Sequence, residues 1–255
     1  MEDRLGLLNL IRSISSEPGT DVPGMWLNRP MLGFDTETTG VDTDRDRIVT
    51  VALVASSGMP PHQEVVCTWL IDPSIEIPEG ASAVHGVSTE FARTHGIAPL
   101  EALDQVATIL AEAQMRGIPI VAFNARFDLR ILEAELVRNG LPTLAQRAPG
   151  APLLVLDPLT IDRGMDRWRK GKRKLVDMMA LLGIKQGGRL HTADVDVSMT
   201  LQVLRALARK HPSLGKWDLA SLQGEQERWH RVWAQGMNGW LARQGKPADI
   251  ELTWP

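Results

Sequence analysis

The chain has 255 residues, and 28 Lys and Arg against 31 Asp and Glu leave a formal net charge of −3. Its 44% hydrophobic and 23% charged content is that of a globular protein, which excludes disorder of the whole chain. No apolar run approaches the about 18 residues of a membrane span, and a single cysteine, Cys67, excludes a disulfide-stapled scaffold and a zinc finger.

MEDRLGLLNL puts acids where a signal peptide has basic residues, so a soluble cytoplasmic protein without a membrane role is expected. Leu5, Leu7, Leu8, Leu10 and Ile11 suit a short amphipathic helix packed on the main domain. SSEPGTDVPG then reads as a linker, so residues 1–30 form an extension. MLGFDTET, RIVTVALVASS and EVVCTWLIDP read as three consecutive antiparallel strands, with a turn at Gly40 and another at Gly58-Met59-Pro60-Pro61. From about residue 80 to 116 the pattern is helical, with Leu100, Leu103, Val106, Ala107 and Leu110 at helical spacing. IPIVAF and LLVLD are short buried strands. ARFDLRILEAELVRNG is a helix with Leu129, Leu132, Leu136 and Val137 on one face and Gly140 at its end. KLVDMMALLG and the stretch from Ala193 to Arg209 are further helices. Three strands followed by alternating helices and strands predict an α/β fold, a mixed sheet flanked by helices.

The chemistry-bearing residues are acidic. Asp35 and Glu37 are two apart at the end of the first strand, so their side chains share a side. Such a pair repels unless a proton or a cation neutralises it, and oxygen ligands suit Mg²⁺ or Mn²⁺ rather than zinc. A turn rich in Asp, Thr and Gly accounts for the same letters, and the pair alone leaves both readings open. Asp128 falls in the first turn of a helix, where the helix dipole favours an acid anyway. His191 and Asp196 are five apart, which separates them on a helix. His191 therefore belongs to the loop before the helix and Asp196 to its first turns, with Asp194 capping or facing solvent.

Taken together, Asp35-x-Glu37, then Asp128, then His191-x-x-x-x-Asp196 resembles the DEDDh family of 3′–5′ exonucleases, which includes polymerase proofreading subunits, oligoribonucleases and tRNA-trimming enzymes. FDTETTG is similar to that family's first motif and VAFNARFD to its second. HTADVDV resembles its third, and IPEGASAVHGVSTE its segment after the third strand. The resemblance runs from Met31 to Arg209. It implies a ribonuclease H-like mixed five-stranded sheet, an exonuclease domain over residues 31–210, and a helical extension over 211–255. It also implies two divalent ions, Mg²⁺ or Mn²⁺, held by Asp35, Glu37, Asp128 and Asp196, with His191 as general base and nucleoside 5′-monophosphates as products. Thr38, Gly40, His85, Asn124 and Phe127 match positions near the terminal nucleotide. Phe127 also suits the core. Phe123 stands where many members carry His or Gly, a departure that leaves the acidic residues untouched.

Two features lie beyond the motifs. Seven basic residues and one acid, Asp166, fall between Arg163 and Lys174, a local charge of about +6. Lys170, Lys172, Arg173 and Trp168 there are candidates for contact with a polyanion, against the plainer reading of a solvated loop. The extension holds five of the eight tryptophans. Leu222, Trp229, Val232, Trp233, Met237, Trp240 and Leu241 approximate one helical stripe, expected to pack on the domain or to meet a partner. Gly171-Lys172, Gly215-Lys216 and Gly245-Lys246 lack the P-loop spacing, and Cys67 sits in an apolar strand. The expected substrate is the 3′ end of single-stranded or frayed DNA. RNA 3′ tails are the alternative, and a non-cleaving binding module is the alternative of another class. A polymerase partner or a second copy of the chain is left open.

Overall fold

The computed structural model describes residues 2–14, 23–58, 60–185 and 192–255. His191, Met59 and most of the linker lie outside them. A first helix, α1 (Glu2–Ser13), is followed by strands β1 (Met31–Thr38), β2 (Ile48–Ser56) and β3 (Glu64–Leu70). These pair antiparallel, with Asp35 opposite Ala52 and Glu37 opposite Thr50, and the register shifts between Glu37 and Thr38. Three helices follow: α2 (Glu79–His85), α3 (Thr89–His95) and α4 (Pro99–Met115). The two remaining strands, β4 (Ile120–Val121) and β5 (Val155–Leu156), are parallel to β1 and complete a five-stranded sheet of order β3-β2-β1-β4-β5. Between them lie α5 (Ala125–Arg138) and α6 (Leu144–Arg147). Beyond β5 come α7 (Pro158–Met165), α8 (Leu175–Leu181), α9 (Ala193–Lys210) and α10 (Leu219–Arg243). No described helix is long and apolar enough to cross a membrane.

The period of two in the strands divides the core. Leu32, Phe34, Val51 and Leu53 face one layer with α1, α4 and α5, while Met31, Ala52 and Val54 face the other with α8, α9 and α10. Leu7 and Ile11 anchor α1 in the first layer, whereas Leu5 and Leu10 are exposed. Val137 is a correction: it is 66% exposed. One residue turns a helix by about 100°, so Val137 leaves the buried face that Leu129, Leu132 and Leu136 share with Ile131. Gly33 is where β1 and α9 come together, and a Cβ there would run into Val197.

The extension packs through α10 on α7, where Gly164 leaves room for the Trp229 ring. Gln223 and Gln226 of α10 reach the outer edge of β5. Gln223 accepts from Val155 N–H at 3.0 Å. The Gln226 amide accepts from Asp157 N–H at 2.8 Å and donates to the Val155 carbonyl at 2.8 Å. The last residues return along the domain. Asn238 exchanges two hydrogen bonds with the Ile250 backbone, and Glu251 pairs with Arg126 at 2.7 Å and Arg130 at 2.6 Å. Trp254 is buried in the first layer.

Candidate active site

The parallel strands β1, β4 and β5 end on the same side of the sheet, and in open α/β sheets that side is where ligands bind. β1 ends in Asp35 and Glu37. β4 leads into Asn124 and Asp128, and β5 leads into Asp157. The N-terminus of α9, brought close by Gly33, delivers Asp196 in its first turn.

Asp128 arrives from the opposite layer and is locked by the residue between the two strand acids. The Thr36 N–H donates to its carboxylate at 3.1 Å and the Thr36 hydroxyl at 2.7 Å. The turn before α5 puts Asn124 in the left-handed region at φ 65°, which asparagine tolerates better than most residues. The Asn124 N–H donates to Asp157 at 3.0 Å. Asp157 also caps α7, accepting from Leu159 N–H at 2.9 Å and from the Thr160 hydroxyl at 2.7 Å. Thr36 and Asp157 are positioning residues that the motifs do not single out. Only the Asp-Pro start of α7 signals the second, as a helix cap.

The acids strain against one another. Burial, then Asp128, Glu37 and Asp196, hold the Asp35 carboxyl well above the usual carboxylate range. Burial and then Asp196 push Glu37 up to about 7. Burial pushes Asp128 up to about 7 against the pull of its Thr36 hydrogen bonds. Among the described residues no three acidic, His or Cys side chains are already gathered at ligand spacing. The acids converge only to the range at which their charges act. A set of carboxylates that hold protons for want of a counter-charge fits hard divalent cations.

Around this centre, the Thr38 hydroxyl donates to the Gly40 carbonyl at 2.6 Å. A Cβ at Gly40 would meet the Asp46 carboxylate, which accepts from Thr39 and Asp42 and so pins the loop after β1. His85 is buried beside the Thr38 backbone. Burial lowers its pKa while Thr38 opposes the shift. Its Nδ1 accepts from Val87 N–H. Phe127 packs against the first layer and also, with Asn124, Val41 and Thr43, lines a cavity of about 240 Å³. Trp168 is 83% exposed, and Lys170 and Lys172 are exposed on the same loop. Arg173 stands apart from these. Its guanidinium is drawn inward onto the buried Asp162 carboxylate and the carbonyls of Asp166 and Arg169, so it holds the loop together rather than offering a charge outward. Arg169 is likewise paired with Asp162, at 2.9 Å.

The exonuclease family model of RNase T type matches residues 32–204. An uncharacterised exonuclease, CP81, of Escherichia phage 186 is 31% identical over 199 residues, 72% of this chain and 91% of that protein. Ribonuclease T of Shewanella frigidimarina is 26% identical over 205 residues, 76% of this chain and 89% of that protein. In fold, the chain is similar to Escherichia coli exonuclease I in complex with a dA16 oligonucleotide, with a TM-score of 0.63, 17% identity and 80% of this chain covered. Exonuclease I of Methylocaldum szegediense gives a TM-score of 0.60 at 20% identity. This chain covers 44% of the first and 42% of the second of those longer proteins.

Proposed function

The chain belongs to the RNase T family of exonucleases, and we propose that it removes nucleotides one at a time from the 3′ end of single-stranded or frayed DNA in a reaction that needs divalent cations. One observation carries the reading: Asp35, Glu37, Asp128 and Asp196 act on one another's charge at the ends of the parallel strands. Two Mg²⁺ or Mn²⁺ ions held by these residues would supply the positive charge and Lewis acidity that an anionic phosphodiester needs before water attacks it.

The remaining work falls to this chain's own side chains. Asp35 and Glu37 project from a strand and Asp196 from a helix's first turn, so their oxygens are held by rigid backbone. Thr36 fixes Asp128 and keeps it from swinging away. His191 precedes the Thr192 cap of α9 in sequence and takes the proton from the attacking water, a task suited to an imidazole titrating near neutrality. Thr38, Gly40 and His85 meet the terminal sugar. Asn124 and Phe127 border the reacting nucleotide. RNA 3′ tails are the second reading, which the ribonuclease T relative favours.

A time course on 5′- and 3′-labelled DNA and RNA oligonucleotides, in Mg²⁺, Mn²⁺ or EDTA, tests this. Stepwise 3′ shortening that EDTA abolishes is expected, faster on DNA. Shortening from the 5′ end, or cleavage in EDTA, overturns the proposal, and a faster rate on RNA selects the second reading.

A further inference from the structure

The second half of α10 leaves an open groove of about 580 Å³ against the end of α7 and the basic loop. Its walls alternate rings and cations. From α10 come Trp233, Met237 and Trp240. From the other side come Arg163, Arg167 and Trp168. Trp168 is 83% exposed and Trp240 46%, so each presents a ring to solvent. No carboxylate lines the groove among its described residues.

The cations divide into those already occupied and those still available. Arg169 and Arg173 close on Asp162, and Arg228 pairs with Glu225. Arg167 lies over the Trp168 ring at 4.9 Å and makes no ion pair with a described residue. Arg163 stacks over Trp233 at 3.6 Å; burial holds its pKa down at about 10, while the buried Asp157 and Asp162 carboxylates pull it the other way. Lys246 adds an ammonium 5.9 Å from the Trp240 ring. Arg167 is exposed and can meet an anion arriving from outside with a charge-assisted hydrogen bond.

Arg163 and Trp233 also line the smaller cavity beside Asn124 and Phe127, so one stacked pair joins the groove to the cavity at the start of α5, the helix that carries Asp128. We propose that the groove is a binding site for the single-stranded body of the substrate, with phosphates on Arg163 and Arg167 and bases stacked on Trp168 and Trp240. A single strand carries a charge and a flat ring at each step, and alternating cations and exposed rings match that repeat. An acidic peptide would use the guanidiniums and leave the rings without a role. The groove rests on the exonuclease reading for its direction: if the 3′ end reacts at the carboxylates, the strand lying here is 5′ of it. The α10 wall lies beyond the residues that the family model matches, and Arg163, Arg167 and Trp168 lie within them but outside the acidic motifs.

The test is binding of 5′-fluorescein thymidine oligonucleotides, a trinucleotide and a dodecamer, to the full chain in EDTA, followed by anisotropy at several salt concentrations. The dodecamer should bind about tenfold tighter than the trinucleotide. Trp240→Ala and Arg167→Glu should each remove most of that gain, and Trp240→Phe should keep it. Arg167→Glu should lower the slope of log K against log salt by about one. Both side chains are exposed, so unchanged melting curves should accompany the loss. A full length gain in both variants overturns the proposal, as does displacement of the dodecamer by polyglutamate as readily as by unlabelled dodecamer, which would make the groove a peptide site. A parallel Mg²⁺ time course on the parent chain separates the two readings. Variant-sensitive binding without cleavage sinks the exonuclease alone, and cleavage with variant-insensitive binding sinks the groove alone.

Discussion

Thr36 decides whether Asp128 belongs to the site. Its N–H and hydroxyl are the two described donors that hold that carboxylate, which is buried. Thr36→Val keeps the strand and one donor but removes the hydroxyl. A lost hydrogen bond to a buried charged group costs about 1.5–3 kcal/mol, and the freed carboxylate is misplaced. Turnover should fall at least about tenfold with little change in KM, measured on a short labelled oligonucleotide; unchanged turnover would leave Asp128 held by other means. Asp35→Asn should abolish hydrolysis and stabilise the cation-free protein, since burial and three neighbouring acids oppose the charge it removes. A thermal melt in EDTA and an activity assay read both effects. Stability should also depend on pH. Folded Glu37 titrates at about 7, against about 4.3 for an unfolded glutamate. The folded state therefore binds the proton more tightly, and cation-free stability from this group is full below about pH 4 and lost as pH rises through 7. Melts in EDTA should be lower at pH 8 than at pH 5.5, and Mg²⁺ should restore the difference. Equal melts at both pH values would contradict the crowding of the acids. At this scale the motif acids were singled out by their resemblance to known exonucleases, since spacing alone left a turn and a helix cap open. Thr36 and Asp157 were not, because what they do depends on partners 92 and 33 residues away. Arg173 read as an outward charge because its partner Asp162 lies buried in a helix that the sequence pattern did not reveal.

Among the elements, strong periodicity and short apolar runs were readable, and the helix after β5 was not. β1, β2 and β3 carry seven to nine residues each, and α4, α5 and α9 fourteen to eighteen, enough turns for a pattern to show. β4 and β5 have two residues each, and the apolar runs IPIVAF and LLVLD still marked them as buried strands. α7 has eight residues and was missed, yet it is the platform on which α10 rests. The tryptophan stripe of α10 was legible as one face; that half of it would stay open was not, because that depends on where α7 ends. Gly164 is the contact point. Gly164→Ala would drive a methyl into the Trp229 ring, an overpacking that costs about 1–3 kcal/mol. The melting temperature should fall and the gain in affinity from longer oligonucleotides should shrink, while the Asp35–Glu37–Asp196 cluster, built on β1 and α9, keeps its response to Mg²⁺. An unaltered melt would mean that α10 shifts freely on its seat.

Across the whole molecule, the extension is tied to the domain at both ends of its length, by Trp229 on α7 and by Trp254 in the layer under α5. The return of residues 246–255 carries no periodic signal and became visible only through its bonds to Arg126, Arg130 and Asn238. One earlier detail bears on solubility. A sheet that ends in an open strand offers a row of unmet amides to any other strand, the usual start of aggregation. β5 is such an end, and Gln223 and Gln226 supply two side-chain amides in place of a sixth strand. Gln226→Leu keeps the volume and removes both sides of that pairing, so the chain should scatter light at temperatures where its parent stays clear. In that sense α10 shields the sheet from other copies of the chain, a task independent of any substrate.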